Sequence, residues 1–312
     1  MRTAFIQTLY EMAERDDRIW LVVGDLGYSV VEQYAERFPA RYLNVGVAEQ
    51  NMTGVAAGLA LCNKVVFTYS IANFPTFRCL EQIRNDVCYH NANVKIVSVG
   101  GGFAYGALGM SHHGTEDIAV LRALPNMVVV APGDPVEAEN ATRAIVEQTG
   151  PCYLRLGKAG EARIHARDVK FQLGRAITVC EGSDITLIST GGMLATTVRV
   201  AERLSKEGVA ARVLSMHTLK PLDEEAIRIA ARETPAIVTI EEHGINGGLG
   251  SAVAETLAEG NGPRVVFKRL GIPSVYASQI GGQDYLRSIY SLTVDGILTS
   301  LESVLETVQL SG

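Results

Sequence analysis

A single carboxylate lies at the start of the least polar helix that the sequence predicts. In LNVGVAEQNMTGVAAGLALC, residues 43–62, most side chains around Glu49 are small or apolar, so this element should be buried on most sides. Burial of an unpaired carboxylate costs several kcal/mol, and such a group normally takes up a proton or finds a partner. Glu49 is therefore either an exposed residue at the helix start or a buried acid that is needed for proton transfer.

Two adjacent histidines end a glycine-rich loop. The segment GGGFAYGALGMSHHG, 100–114, holds six glycines together with His112 and His113. It follows an apolar strand pattern, and parallel sheets bind ligands at the carboxyl ends of their strands. The pair is therefore expected to serve binding or catalysis. Adjacent side chains rarely converge on one ion, and no cysteine or aspartate has a suitable spacing, so we predict no metal site.

A third group of candidate residues is aromatic. Phe67, Tyr69, Phe74 and Phe77 lie close together, although only 6% of the chain is aromatic. Aromatic residues of this kind most often belong to a hydrophobic core. These four come one strand after Glu49 in the chain, and that position favours a role at the same site.

The composition narrows the class of protein. The chain has 312 residues, 47% of them hydrophobic, and a net charge of -6 with acids and bases intermixed. No basic tract indicates nucleic acid, and no lysine-rich amphipathic segment indicates a membrane surface. Five scattered cysteines without a CxxC pair are typical of free thiols in a reducing cytoplasm. The first helical segment is charged and lacks the apolar core of a signal peptide.

Short apolar strand patterns alternate with helical patterns along almost the whole chain. This alternation predicts an α/β fold with two doubly wound domains, whose largely parallel sheets are covered on both faces. A charged segment without a helical pattern, 159–175, is the expected linker between domains at 1–158 and 176–312. The predicted strands are 19–24, 64–70, 93–100, 127–134, 152–157, 184–190, 211–216 and 236–242, and the predicted helices are 2–15, 48–62, 76–91, 135–148, 193–208, 222–233 and 247–259.

Three segments together resemble the thiamine-diphosphate enzymes of the transketolase family. They are VGVAEQNMTGVAAGLAL around Glu49, the aromatic ANFPTF, and SHHGTEDIAVLRALPNMVVVAPGDPVE, which contains the two histidines. The resemblance covers essentially the whole chain and corresponds to the C-terminal half of a transketolase. It implies a pyrimidine-binding domain followed by the smaller C-terminal domain of that family.

The resemblance also implies a role for each candidate residue. Glu49 would hydrogen-bond a ring nitrogen of the cofactor's aminopyrimidine and assist deprotonation of the thiazolium carbon, a task that suits a carboxyl group in an apolar pocket. Phe74, or else Phe77, would stack on the pyrimidine ring. Asp25 resembles the acid near the thiazolium ring. His112 falls on the family's substrate histidine, and we expect His113 to share its work on substrate oxygens.

Three further residues fall near positions that hold the phosphate of a sugar phosphate in transketolases. They are Arg2, Ser29 and Lys158, and the lysine replaces a more usual arginine, so an anion would be held less bidentately. The loop also departs from the family pattern GEDGPTHQ, because Leu108 or Gly109 replaces an acid that recognises a sugar hydroxyl. The expected ketose is phosphorylated or otherwise anionic, and it need not be a pentose phosphate.

One motif of the family is absent from the sequence. The chain has no Gly-Asp-Gly followed roughly 25–30 residues later by Asn, the motif whose oxygens hold Mg²⁺ and the diphosphate. The resemblance therefore implies a separate N-terminal subunit that carries this half of the site, with thiamine diphosphate and Mg²⁺ as cofactors. It further implies self-association of this chain, in an α₂β₂ assembly. The expected reaction is transfer of a two-carbon ketol unit from a ketose to an aldose.

Two other functions remain open at this point. The beta subunits of 2-oxo-acid dehydrogenases and acetoin-type enzymes are divided in the same way and share an FPxF-like segment. A non-catalytic scaffold or regulatory subunit with this fold would bind no cofactor. The histidine segment favours the transketolase side over the first alternative. The acid, the aromatics and the histidine loop all fall at ligand-facing strand ends of one domain, which favours an enzyme over the second.

Overall fold

Two α/β sheets make up the fold. In the computed structural model, which describes residues 1–260 and 262–311, helices pack on both sheets. The first sheet has seven strands and the second has five. This architecture confirms the predicted fold class of two α/β units with largely parallel sheets. Two residues of the predicted domain 176–312, Asn261 and Gly312, lie outside the described residues.

Most neighbouring strands run parallel, and each sheet has one antiparallel edge. The strands are β1 (Ile19–Val23), β2 (Tyr42–Asn44), β3 (Val65–Ile71), β4 (Val94–Val99), β5 (Val128–Val130), β6 (Cys152–Leu156), β7 (Ile177–Cys180), β8 (Ile185–Ser189), β9 (Ala211–Ser215), β10 (Thr218–Lys220), β11 (Ala236–Gly244) and β12 (Val266–Ile272). The first sheet has the order β10-β5-β6-β4-β3-β1-β2, with β10 antiparallel to β5. The second has the order β12-β11-β8-β9-β7, with β7 antiparallel to β9.

The strand order brings the candidate residues to one edge of the first sheet. Strands β1, β3 and β4 are parallel neighbours, so their carboxyl ends lie side by side. Asp25 follows β1, the aromatic segment follows β3, and the histidine loop follows β4. Three segments that are far apart in the chain therefore meet at the ligand-facing edge of a parallel sheet.

The helices connect these strands across both faces of the sheets. Two of them begin with a capping aspartate, Asp134 or Asp223, whose carboxylate accepts a backbone N–H of the first turn. None of the described helices is long and apolar enough to cross a lipid bilayer. The helices are α1 (Arg2–Ala13), α2 (Glu32–Arg37), α3 (Glu49–Leu61), α4 (Leu80–Gln82), α5 (Asp117–Arg122), α6 (Pro135–Glu147), α7 (Leu194–Lys206), α8 (Glu224–Glu233), α9 (Leu249–Glu259), α10 (Gln283–Ile289) and α11 (Val294–Ser311).

The helix predicted at 76–91 is broken into short pieces, so that prediction is wrong in its form. A 3₁₀ turn, Phe77–Cys79, leads into α4 and then into a π-helical segment, Ile83–Cys88. Just before the turn, Thr76 Oγ1 donates to the carbonyl of Ala72 at 2.7 Å, a local bond that competes with regular helix geometry. The tight turn directs the side chains that follow the aromatic segment toward the edge of the sheet.

Helix α3 is not buried on most sides, contrary to the expectation from its apolar sequence. Glu49, Met52 and Ala56 face the core. On the opposite side, a Cβ added at Gly54 or Gly58 would meet no atom within 4 Å. The small residues of α3 therefore form an open surface of this chain, and the sequence pattern could not separate such a surface from a buried one.

The second sheet holds the histidine loop in place. Glu242, in β11, accepts the backbone N–H of Phe103 at 3.0 Å and pairs with Arg287 at 2.6 Å. Arg155, in β6, donates to the carbonyl of Gly114 at 2.6 Å and to that of Glu242 at 3.1 Å. Hydrogen bonds to charged groups are stronger than neutral ones. Both ends of the loop are thus fixed by buried charged side chains, one from each sheet.

Candidate active site

Glu49 is a buried acid. Its residue is only 1% exposed, although it is the first residue of α3. Its Oε2 accepts a hydrogen bond from Arg78 Nη1 at 2.7 Å. Its Oε1 is buried and has no hydrogen-bond partner within the described part of the chain. Of the two alternatives that the sequence left open for its location, exposed or buried, the second is correct.

A small space adjoins the free oxygen of Glu49. Ser70, in β3, carries a second buried oxygen that has no partner among the residues described. A Cβ added to Gly24 would lie 3.6 Å from Glu49 Oε1 and 3.5 Å from Ser70 Oγ. Buried polar atoms normally form hydrogen bonds. Two unpartnered oxygens beside a glycine therefore indicate a position for a ligand that donates hydrogen bonds.

Phe74 connects this acid to the histidine loop. The guanidinium carbon of Arg78 lies 4.7 Å from the centre of the Phe74 ring, while Arg78 also pairs with Glu49. On another side, the Phe74 ring meets the His112 ring edge-on, with 5.1 Å between their centres. Glu49, Arg78, Phe74 and His112 thus form one continuous set of contacts, which we call the acid–aromatic–histidine cluster.

His112 is the more accessible of the two histidines. Its Nδ1 lies 3.1 Å from Ser111 Oγ, and Asn73 Nδ2 donates to the carbonyl of Ser111 at 3.1 Å, which ties the aromatic segment to the histidine loop. Burial lowers the pKa of His112 below its ordinary value, and the neighbouring His113 lowers it further. His112 is therefore held as a neutral ring near neutral pH.

His113 points into the protein. Its residue is 3% exposed, its Nε2 lies 3.4 Å from the carbonyl oxygen of Gly106, and its ring meets Phe103 edge-on at 5.1 Å. These contacts join His113 to the part of the loop that Glu242 holds. Its ring therefore supports the loop, and it still borders the cavity described next.

A cavity of about 330 Å³ opens beside the histidines. Phe77, Met110 and His113 form one part of its wall, and Tyr276 and Ala277, from the segment after β12, form another. This volume lies within the range of small-molecule sites. Phe77 thus faces the cavity, whereas Phe74 belongs to the cluster with Glu49, so the structure separates the two aromatic candidates.

Two of the three candidate anion-binding residues meet at one tyrosine. Lys158 Nζ lies 4.8 Å from the centre of the Tyr105 ring. Arg2 is close enough to hydrogen-bond to Tyr105, whose pKa is raised by burial and lowered in part by the Arg2 charge. The Nε of Arg2 is buried and lacks a partner among the described residues. Arg2 and Lys158 therefore make a local positive site with a free donor.

Ser29 and Asp25 lie in the loop after β1 and bond within it. Ser29 is exposed, and its backbone N–H donates to Glu32 at 2.6 Å, with no hydrogen bond to the Arg2–Lys158 pair in the described chain. Asp25 exchanges two hydrogen bonds with Asn44, at 2.9 and 3.1 Å. Both have a positive φ, 55° for Asp25 and 61° for Ser29, which is uncommon outside glycine.

The sequence did not point to several residues of this site. Arg78, Ser70 and Tyr105 were not among the candidates, although Arg78 follows the aromatic segment directly in FPTFR. A cation beside a group of aromatic residues was the available signal. Within residues 1–260 and 262–311, no group of three or more His, Cys, Asp or Glu could hold a metal ion.

Comparison with known proteins defines the class. The family model for the transketolase pyrimidine binding domain matches residues 1–160, and the model for the transketolase C-terminal domain matches residues 174–297. Together they cover most of the chain. The chain therefore belongs to the transketolase family. Members of this family use thiamine diphosphate, so it belongs to a class of thiamine-diphosphate-dependent transferases.

Similar proteins include subunits of divided transketolases. A 6-deoxy-6-sulfo-D-fructose transketolase subunit from Clostridium sp. (strain MSTE9) is 38% identical over 98% of this chain and 94% of its own length. One of the apulose-4-phosphate transketolase subunits, from Phocaeicola vulgatus, is 40% identical over 97% of both chains. A solved structure, described as a split gene transketolase in an inactive beta4 tetramer, is 37% identical, with a TM-score of 0.88, over 98% of this chain and 97% of its own.

These matches settle which part of a transketolase the chain represents. It is the C-terminal half of a transketolase of the split kind, and thus part of a transferase. The predicted family and the predicted type of enzyme are thereby confirmed. The matches favour this function over both alternatives, the beta subunit of a 2-oxo-acid dehydrogenase and the non-catalytic scaffold.

Proposed function

We propose that this chain forms one half of the active site of a two-subunit transketolase. With an N-terminal partner subunit, thiamine diphosphate and Mg²⁺, it transfers a two-carbon ketol unit from an anionic ketose to an aldose. One observation carries the proposal: the buried Glu49 carboxylate has a free oxygen and lies beside Phe74 and His112, at the carboxyl ends of parallel strands.

The residues around Glu49 fit the aminopyrimidine ring of thiamine diphosphate. Glu49 Oε1 and Ser70 Oγ offer two acceptors in a space that Gly24 leaves open, and Phe74 offers a flat surface. The bound cofactor supplies the carbon that accepts and releases the ketol unit. In this arrangement Glu49 holds a ring nitrogen and exchanges a proton with it, shielded from water.

His112 is proposed to contact the oxygens of the donor sugar. Its lowered pKa keeps the ring neutral at physiological pH, so it can accept a proton from a hydroxyl group. His113 and Phe77 line the neighbouring cavity and would bound the substrate there. Asp25 directly follows Gly24, which supports its proposed position near the thiazolium ring.

The anionic end of the sugar is proposed to bind at Arg2 and Lys158. Support comes from the free donor of Arg2 and from the shared contact with Tyr105. The named relatives act on a sulfonated and a phosphorylated sugar, both of which carry an anionic group. Ser29 would join this site only by a movement of its loop, since it now bonds to Glu32.

The diphosphate and Mg²⁺ are proposed to bind mainly to the partner chain. The sequence lacks the Gly-Asp-Gly motif for them, and the relatives named above are themselves subunits. The beta4 tetramer of the solved neighbour supports self-association of this chain within an α₂β₂ enzyme. The open face of α3, with Gly54 and Gly58, is a surface that suits packing by another chain.

The domain bounds and the location also belong to the proposal. Domains at 1–158 and 176–312 with a linker at 159–175 agree with the ranges of the two family matches. We propose a cytoplasmic enzyme, because all five cysteines are free thiols.

Binding of thiamine diphosphate tests this function. We expect calorimetry with Mg²⁺ to show tight binding by the complex of this chain with its co-purified partner, and weak or no binding by this chain alone. The complex should then transfer a ketol unit from an anionic ketose to an aldose. Tight binding by the isolated chain would contradict the divided site. No binding in either sample would overturn the enzymatic function.

Replacement of Lys158 tests the anion site. Lys158→Ala should lower kcat/KM for a phosphorylated or sulfonated ketose about ten- to hundredfold, because a hydrogen bond to a charged group is worth roughly 1.5–3 kcal/mol. The activity on a neutral ketose should not change, and Lys158→Arg should retain activity. The exposed Lys206→Ala serves as a matched control. Equal losses on charged and neutral donors would exclude the proposed role.

A further inference from the structure

Arg78 engages both groups that a bound aminopyrimidine would need. Its Nη1 donates to Glu49 Oε2 at 2.7 Å, and its guanidinium carbon lies 4.7 Å from the centre of the Phe74 ring. A guanidinium is flat and rich in N–H donors, and it stacks on aromatic faces. It thus presents to Glu49 and Phe74 the same kind of surface as an aminopyrimidine ring.

We infer that Arg78 occupies the cofactor's pyrimidine position in this chain and must leave it when the cofactor binds. The inference rests on the proposed function, since it concerns the same site. A planar ring that stacks on Phe74 and reaches the Glu49 carboxylate requires the space that the guanidinium fills. Arg78 therefore acts as an internal competitor, and it lowers the affinity for thiamine diphosphate.

The exposure of Arg78 makes such a displacement feasible. Its side chain is 45% exposed, whereas that of Glu49 is 1% exposed. The guanidinium can therefore turn into solvent and regain its hydration, while the carboxylate stays in place. Within residues 1–260 and 262–311, Glu49 is its one ion-pair partner, and no hydrogen bond ties the side chain to any other group.

The ion pair also accounts for how Glu49 remains stable before the cofactor arrives. A buried carboxylate without a partner would be costly. Arg78 satisfies Oε2 and leaves Oε1 free. The cofactor must then replace this ion pair, so part of its binding free energy is offset by the loss of the pair.

Cofactor binding by two arginine variants tests the inference. In the assembled complex with Mg²⁺, calorimetry should show that Arg78→Met binds thiamine diphosphate about tenfold more tightly than the wild type. The matched control is Arg84→Met, because Arg84 lies on the same segment and bonds only to its neighbour Asn85. Its affinity should equal that of the wild type. Circular dichroism would verify that both variants fold.

The outcomes separate this inference from the proposed function. If Arg78→Met binds the cofactor as tightly as the wild type or more weakly, Arg78 does not compete, and the inference fails while the proposed function stands. If neither protein binds thiamine diphosphate, both fail. A tighter Kd in Arg78→Met, with Arg84→Met unchanged, would support both.

Discussion

Replacement of Glu49 by glutamine should abolish ketol transfer while the chain remains folded. Glutamine has nearly the same shape but cannot exchange a proton with a ring nitrogen of the cofactor. Proton transfer by a positioned side chain typically contributes about 10²–10⁴-fold to a rate, and the loss of turnover should be at least of this order. A ketol-transfer assay on the complex, with a coupled readout of the product aldose, measures the effect.

The fold should tolerate this replacement because Arg78 can turn outward. Loss of the pair with Glu49 leaves the half-exposed guanidinium in contact with water, so no buried charge remains without a partner. Thermal unfolding should therefore shift by only a few degrees. Glu81→Gln, at an exposed position of α4, is the matched control and should retain full activity. Near-normal turnover in Glu49→Gln would exclude the proposed mechanism.

The sequence predicts the fold well wherever burial leaves an unbroken apolar run. All residues of β4, β6 and β8 are buried, and each was visible as such a run. Strands β7 and β12 lie at sheet edges and are only partly buried, so their sequences mix polar and apolar residues. Strands β2 and β10 have three residues each, which is too short for any periodic pattern.

The chemistry of the site was predicted better than its wiring. Glu49, Phe74 and His112 stood out by residue type and lie in one cluster. The pairing of Glu49 with Arg78 joins residues 29 positions apart, and sequence alone gives no sign of it. The bond from Phe103 to Glu242 spans 139 positions and joins two sheets.

The second sheet therefore contributes to the site although the candidate residues lie in the first. Glu242 and Arg155 fix the two ends of the histidine loop, and Tyr276 borders the cavity. A loop with six glycines would otherwise lose much conformational entropy on ordering. The orientation of His112 thus depends on contacts between the two α/β units.

Replacement of His112 by alanine should lower turnover strongly and leave cofactor binding unchanged. We expect kcat to fall about 10²–10³-fold, the usual loss when a group that stabilises a reacting oxygen is removed. The Kd for thiamine diphosphate should stay near the wild-type value, because His112 meets Phe74 only edge-on and has no contact with Glu49. His90→Ala is the matched control, since His90 is an exposed histidine that packs on Tyr89.

The pH profile separates a chemical role of His112 from a structural one. Burial and the neighbouring His113 lower the pKa of His112 from its ordinary 6.5, so the neutral ring predominates above a pH lower than 6.5. Turnover of the wild type should therefore fall as the pH decreases through that lowered pKa, because the protonated ring cannot accept a proton. His112→Ala should lack this acidic limb, whereas His90→Ala should keep it. A larger loss in cofactor affinity than in kcat would instead assign His112 to the cofactor site.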